Sequence, residues 1–469
     1  MTDSPSAGTG NIFLSGALPP LFARTATPII SVMVVNGLFT LVDAWFLGRY
    51  VGAAALTAVT LMFPVYMVLV ASSTLVANGF SSLYARLLGA GERAEADIVL
   101  GQAIRLALVI CGLLIAGFAL AGGGLALAIA KGSTELAGYG HTYIAILIYC
   151  SPLVFALAIG IDALRAEGLL AAMAAITMLS ALLNIAFDYL FIAGFGWGVA
   201  GSAWGTVAAQ CCSILALLVY RARRGKRLFP GVLSAANGVR HWSALLALGA
   251  PTSLGYVGIA LSSGLTIYCL QLWAGPGYEA TAGAFGIVTR LLTFTYLPLL
   301  GLSMAFQTIA GNNFGAKAWP RSDGSLNLAL RLAVVYCVGV QVIYYLTRTR
   351  IGWVFIDDTA IIAEIGRILP LITAMFWIFG PLMIVSAYFQ AIGDARRAAV
   401  LGLSRTYLFS LPLTFALPFW VGEIGIWVSG IVTEVLVFGL TVLVLSHRAR
   451  RMRGFLGLFQ LPRRGAVSG

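Results

Sequence analysis

Inside the apolar runs of this chain very few side chains can carry charge, and those few define its chemistry. In the first half they are Asp43 and Asp188, with Asp162 nearer the edge of its run. An ionisable group inside a membrane costs about 2.5–3.5 kcal/mol on insertion scales, so each needs a partner, a wet cavity or a task. Asn184 and Asp188 stand four residues apart, the spacing that puts two side chains on one helix face. The turn that follows centres near Trp197, nine residues after Asp188 and nine before Thr206, so these two sit at similar depth on successive helices. Asp43 lies about eight residues before the middle of the next loop, near Val51, which at 1.5 Å per residue is roughly 12–14 Å below the surface. Two carboxylates, a carboxamide oxygen and a hydroxyl form a hard-oxygen set suited to a small cation or a shared proton. Two like charges confined in a poorly screening medium favour taking up a proton near neutral pH. The blander alternative is that Asp43 caps a helix end or pairs with Arg49, while Asn184 and Asp188 only tie helix five to helix six.

The elements that must hold these residues follow from composition. Of 469 residues, 60% are hydrophobic and 10% charged, against the roughly 25% charged that a water-soluble domain carries. Mean hydropathy is +0.95. Length accommodates about twelve spans of some 20 residues, expected at 25–47, 56–82, 98–125, 139–163, 169–193, 197–221, 243–274, 281–310, 325–347, 362–389, 396–418 and 422–447. The excess of 29 Lys and Arg over 17 Asp and Glu, a net +12, is concentrated between spans. Arg221, Arg223, Arg224, Lys226 and Arg227 form one cluster, and Arg448, Arg450, Arg451, Arg453, Arg463 and Arg464 another. Loops on that side also hold Arg86, Arg93, Arg165, Lys317, Arg321, Arg396 and Arg397, whereas the opposite loops hold Arg49, Lys131, Arg348, Arg350 and Arg367. By the positive-inside rule both ends are cytoplasmic. The expected layout is a cytoplasmic tail at 1–20, a six-helix lobe at 21–221, a basic linker at 222–242, a second six-helix lobe at 243–447 and a basic tail at 448–469. No cleavable signal peptide is expected, because the first residues lack a basic region followed by a short apolar core.

The halves repeat. Pro28 and Pro251 lie 223 residues apart, Thr57 and Thr281 224, Gly89 and Gly315 226, Gly168 and Gly393 225, and Gly198 and Gly422 224. Six helices per copy is an even number, so both copies insert the same way up, related by an axis along the membrane normal with a cleft between them.

With these residues assembled, the chain resembles the multidrug and toxic compound extrusion family of cation-coupled antiporters over nearly its whole length. The resemblance rests on Pro28, the run from Val42 to Arg49, Gly89-Ala90-Gly91, Arg165-Ala166-Glu167-Gly168, Asn184 with Asp188, Pro251, Gly301, Phe314-Gly315-Ala316-Lys317 and Phe389-Gln390-Ala391-Ile392-Gly393. It implies an all-α integral membrane protein, twelve transmembrane helices in two pseudo-symmetric six-helix bundles around a central cavity. Export is then driven by inward flow of H+ or Na+, with Asp43, Asn184, Asp188 and Thr206 matching the family's amino-terminal cation site. Pro28 matches a proline held to let helix one bend, and physically a proline removes a backbone hydrogen bond and crowds the preceding turn.

The second half departs from one branch of the family, having no acidic residue at 251–274. Its polar candidates for lining the cleft are Arg290, Gln307, Arg405 and Glu434, the simpler expectation being a buried Arg and Glu pair or snorkelling. All six cysteines lie in apolar runs without CxxC pairs. His141, His241 and His447 are scattered, so no metal is expected beyond Na+ at the coupling residues. Gly122-Gly123-Gly124 lacks the Lys and Ser or Thr of a phosphate-binding loop, so an ion gradient is the expected energy source and no cofactor is needed. The expected function is a non-enzymatic antiporter of the cytoplasmic membrane. Its partners are amphipathic, cationic small molecules and membrane lipids, not nucleic acid, and it acts as a monomer. The alternative is a flippase for lipid-linked oligosaccharides, which calls for a cleft rich in Arg and Lys where only Arg290 and Arg405 lie deep. An integral membrane enzyme would need a nucleophile and base near one interface, and none is visible.

Overall fold

A computed structural model describes residues 11–130, 133–224, 238–354, 358–452 and 458. Among these, the chain is helical with short connections. A 3-10 turn, Ile12–Leu14, leads into α1, Leu18–Phe46, which runs on as a π-helix over Leu47–Val51. The first lobe continues with α2 (Ala53–Leu61 and Phe63–Ala90), α3 (Arg93–Ile129), α4 (Thr134–Tyr149 and Ser151–Ala166), α5 (Leu170–Asp188, then a π-helix Tyr189–Gly194) and α6 (Gly198–Arg223). The second holds α7 (Trp242–Trp273), α8 (Tyr278–Gly315), α9 (Trp319–Thr347), α10 (Thr359–Thr373 and Phe376–Ala391), α11 (Ala395–Leu403, a π-helix Ser404–Ser410, Leu411–Ala416 and Pro418–Val421) and α12 (Ile424–Met452). Among the described residues ten helices are long and apolar enough to cross a membrane, and twelve spans result when the two bent pairs count as one each. The expected linker at 222–242 lies largely outside the described residues. The segment expected as an N-terminal tail carries the 3-10 turn and the start of α1.

The bends have local causes. α4 turns by 51° at Cys150, where Pro152 in the next turn donates no backbone bond. α10 turns by 44° between its halves. Gln341 of α9 answers that break, donating to the Ala374 carbonyl at 2.8 Å and accepting from the Trp377 amide at 3.1 Å. Backbone groups released inside a membrane must find such partners. Pro28, by contrast, sits inside α1 with the helix uninterrupted around it.

The internal repeat is visible in the backbone. Helix ends that need a left-handed residue recur: Gly91 (φ 79°) and Lys317 (φ 57°) are 226 apart, Gly168 (78°) and Gly393 (83°) 225, and Gly198 (58°) and Gly422 (65°) 224. The two lobes meet chiefly through α2 on α7, α1 on α8 and α2 on α8. The α2–α7 seam is backbone against backbone. A Cβ on Gly79 would lie 1.9 Å from the Leu245 carbonyl oxygen and one on Gly249 1.7 Å from that of Leu75. One turn further along, Ser253 donates to the Ala71 carbonyl at 2.7 Å.

The end of the bundle that holds the 3-10 turn and the last turn of α12, here called the base, is closed. A Cβ on Gly89 or Gly315 would fall 2.1 Å from the carbonyl oxygen of Asn312 or Arg86, so α2 and α8 cross there with no room for a side chain. Ser82 donates to the Gln390 carbonyl at 2.5 Å, and Arg86 to the Gln390 and Ala391 carbonyls at 3.4 and 3.2 Å. Within the first lobe the base is tied by Glu167, which accepts from Tyr84 at 2.8 Å and pairs with Arg221 at 3.2 Å. Arg165 pairs with Asp162 at 3.0 Å and donates to Ser81 at 2.9 Å. At the opposite end of the second lobe, Arg367 bridges Glu364 and Glu423, both at 2.6 Å.

Candidate functional site

Helix α5 carries Asn184 and Asp188 on one face, and α6 packs along that face. Asn184 donates to Asp188 Oδ1 at 3.3 Å and to Thr206 Oγ1 at 3.1 Å, so one carboxamide links the carboxylate to the hydroxyl. Thr206 in turn donates to the Ser202 carbonyl at 3.2 Å. Asp188 is fully buried. The structure thus joins Asp188 and Thr206, which the hairpin spacing placed at one depth, through Asn184 one turn away on α5, and Asn184 also ties α5 to α6 as the blander alternative anticipated.

Two features give Asp188 its place. α5 changes from α- to π-helical geometry immediately after it, and such wide turns are frequent at functional sites because they release backbone groups and re-aim side chains. Gly205 supplies the space on α6. A Cβ there would lie 2.1 Å from Asp188 Oδ1 and 3.0 Å from its amide nitrogen, so the carboxylate occupies the volume any side chain at 205 would take. A turn away, a Cβ on Gly201 would lie 3.0 Å from the carbonyl carbon of Phe191. Residue spacing alone gave Asp188 and Thr206. The signal for the glycines that let the helices close on them is Gly201-x-x-x-Gly205, a small-residue spacing suited to close helix approach.

The end of α1 reaches the same place. The Phe46 ring centroid lies 6.1 Å from that of Tyr189, the residue after Asp188, and 6.0 Å from that of Tyr50, while Tyr50 and Tyr189 are 6.5 Å apart. Phe46 also packs with Ile192 and Ile185. The last turn of α1, whose backbone includes Asp43, therefore sits beside the turn that carries Asp188. The Asp43 side chain itself lies outside the described residues. Arg49, its alternative partner in the sequence, is exposed.

In the second lobe the four candidates separate. Arg405 lies in the π-helical stretch of α11, pairs with Glu434 of α12 at 3.0 Å and sets its guanidinium 4.1 Å from the Phe379 ring centroid. That is the Arg and Glu pair the sequence allowed for, here partly buried. Gln307 is buried, with its amide nitrogen unpartnered among the described residues. Arg290 is exposed. It lies one turn from Phe294, whose ring approaches Gly37 of α1 together with Leu297, so Arg290 is on the α8 face turned toward the first lobe.

Residues 28–190 and 251–416 match the MatE family. The chain is 25% identical over 419 residues to "Probable multidrug resistance protein YoeA" of Bacillus subtilis, covering 86% of this chain and 88% of that one. It is 24% identical over 432 residues to "Multidrug export protein MepA" of Staphylococcus haemolyticus, covering 90% and 92%. A solved structure described as the outward-facing conformation of a multidrug resistance MATE family transporter of the MOP superfamily shares the fold. It matches with a TM-score of 0.83 at 21% identity, over 95% of this chain and 99% of that one.

Proposed function

The chain belongs to the MatE family of multidrug efflux transporters, and we propose that it is a secondary antiporter exporting amphipathic, cationic organic molecules in exchange for entering protons or sodium ions. The single observation that carries this reading is the fully buried Asp188 joined through Asn184 to Thr206. A carboxylate shut inside a membrane lobe is costly when charged, and a proton or small cation lowers that cost. The carboxylate, the Asn184 carboxamide and the Thr206 hydroxyl supply oxygens that suit either ion. Asp43, on the neighbouring turn of α1, is the second carboxylate of the proposed coupling set. Occupancy of the set by the ion and of the cleft by the drug then favour different arrangements of the lobes, which coupling requires, because a ligand that binds both states equally moves no equilibrium.

The orientation in the same reading has the closed base in the cytoplasm, with both termini there and the protein in the cytoplasmic membrane. Arg86, Arg93, Arg165, Arg221, Lys317, Arg321, Arg396 and Arg397 all lie toward that end, as the positive-inside rule asks. In this reading the closed base belongs to a state that is not open to the cytoplasm. The pairing of Arg405 with Glu434 takes one of the two deep positive charges away from a pyrophosphate-binding cleft, which weighs against a lipid-linked sugar flippase.

The test is efflux of a fluorescent cationic dye from vesicles holding the purified protein, with pH and sodium gradients imposed separately. Wild type is expected to respond to at least one gradient, and Asp188→Asn to lose that response while dye binding in detergent persists. Dye movement that ignores both gradients would sink the antiporter reading.

A further inference from the structure

We propose that the N-terminal turn, Asn11–Gly16, is a working half of the gate at the base: a latch that must leave its seat each time the base opens. Gly168 ends α4 and Gly393 ends α10, 225 residues apart, both with positive φ. Each has its bare face covered at the same distance. A Cβ on Gly393 would lie 2.7 Å from the guanidinium carbon of Arg86, which reaches over from α2 of the first lobe. A Cβ on Gly168 would lie 2.7 Å from Cδ1 of Ile12 and 3.5 Å from the Phe13 ring.

The residue 226 positions after Arg86 is Asn312 of α8, a side chain too short to cross to Gly168 as Arg86 crosses to Gly393. Asn312 instead accepts a hydrogen bond from Asn11 at 2.7 Å. The chain's own leading segment thus fills, on one side of the pseudo-two-fold axis, the position that an arginine fills on the other.

The seat is built for it. Phe13 is completely buried, within a cluster that includes Phe306, Ile309 and Ala310 of α8. Its carbonyl oxygen accepts from Asn313 at 3.2 Å and from Arg321 at 3.1 Å. Arg321 also donates to the carbonyls of Gly16 at 2.5 Å and Ser15 at 2.6 Å. The segment runs directly into α1 of the first lobe yet is held mainly by α8 and α9 of the second. Separation of the lobes at the base would break these bonds and expose the Phe13 ring, so the latch favours the closed base. This inference uses only the alternating motion of the lobes from the reading above, not the identity of the driving ion.

Two experiments decide it. In a background with the exposed Cys211 and Cys212 replaced by alanine, Asn11→Cys and Asn312→Cys are joined by copper phenanthroline oxidation, and the extent is counted from remaining free thiols. Dye transport is expected to fall at least tenfold on crosslinking and to return with dithiothreitol. Undiminished transport by fully crosslinked protein would show that the contact never needs to break and would overturn the proposal. Separately, spin labels at Glu92 and Arg396, exposed positions at the base of the two lobes, report its opening without any gradient or substrate, so a failure of ion coupling leaves this readout untouched. Phe13→Ala and, without opening a cavity, Arg321→Gln are each expected to raise the long-distance population at least tenfold. Distance distributions identical to wild type in Arg321→Gln protein of unchanged thermal stability would also overturn it.

Discussion

Substituting Gly205 by alanine tests the geometry of the candidate site more directly than removing Asp188, because it leaves every ligand in place and alters only their positions. The added Cβ would lie 2.1 Å from Asp188 Oδ1 and 3.0 Å from the Asp188 amide nitrogen. Ordinary contact begins near 3.4 Å, so the carboxylate or the helix must retreat by about 1 Å. Rotating Asp188 away breaks its bond with Asn184 and loosens the link to Thr206. Sliding α6 instead disturbs its contact with the π-turn through Gly201. Overpacking of this kind costs about 1–3 kcal/mol, and if that cost falls on ion binding it corresponds to a roughly 5- to 150-fold rise in the ion concentration for half-maximal transport. The assay is initial-rate dye efflux from vesicles against a titrated pH or sodium gradient. Gly264→Ala in α7, where an added Cβ meets nothing within 4 Å, serves as the control. A half-saturation point unmoved in Gly205→Ala, in protein with a wild-type unfolding temperature, would refute the placing of Asp188 in the path of the driving ion.

Asp43→Asn is expected to abolish gradient-driven efflux while the protein still inserts and binds dye, measured by the same vesicle assay alongside detergent binding; full efflux would remove Asp43 from the coupling set. Arg405→Ala or Glu434→Ala leaves one partner of a largely buried pair unmatched, which costs about 3–5 kcal/mol. Each single variant should melt well below wild type, and Arg405→Met with Glu434→Leu should recover most of the loss; equal melting of singles and double would show that the pair is not coupled. Pro28→Ala restores a backbone donor inside α1 and should slow turnover without lowering stability, if cycling requires α1 to bend; unchanged turnover counts against that role.

Much of this fold could be read before any coordinates because a membrane span must be long and apolar, and that demand leaves a plain pattern in the sequence. The bend in α10 was not legible, since the apolar run continues across Ala374-Met375 and the deciding partner, Gln341, is on another helix, whereas Pro152 marks the bend in α4 in the sequence itself. Asn184, Asp188 and Thr206 were legible because one helical hairpin and one i, i+4 spacing fix their relation. The pairing of Arg405 with Glu434 was foreseen only as one of several outcomes, because the π-helical stretch that sets the phase of Arg405 has no periodic signature. The base was hidden altogether. Its contacts join residues about 300 apart, as Ser82 with Gln390 and Asn11 with Asn312, and no local pattern announces them.

The repeat also shows how duplication and function diverged. Moving 225 positions along the chain from Asn184, Asp188 and Thr206 reaches Phe409, Leu413 and Ile431. The second lobe kept the helix ends of the first, down to their left-handed residues, and put hydrocarbon where the first keeps its oxygens. Close to those positions it has a neutral hydroxyl pair, Thr414 with Ser429 at 3.0 Å, and the carboxylate of Glu434 is already matched by Arg405. A hydroxyl pair carries no charge for an ion to relieve, and a matched carboxylate offers a cation little further gain. In the proposed mechanism the driving ion therefore acts on one lobe only, and its effect reaches the other through the surfaces where they touch: the backbone seam of α2 on α7, Arg86 over the end of α10, and the N-terminal turn seated on α8 and α9. An ion site confined to one half of a symmetric frame can bias the motion of both because those surfaces hold in one relative arrangement of the lobes and part in the other.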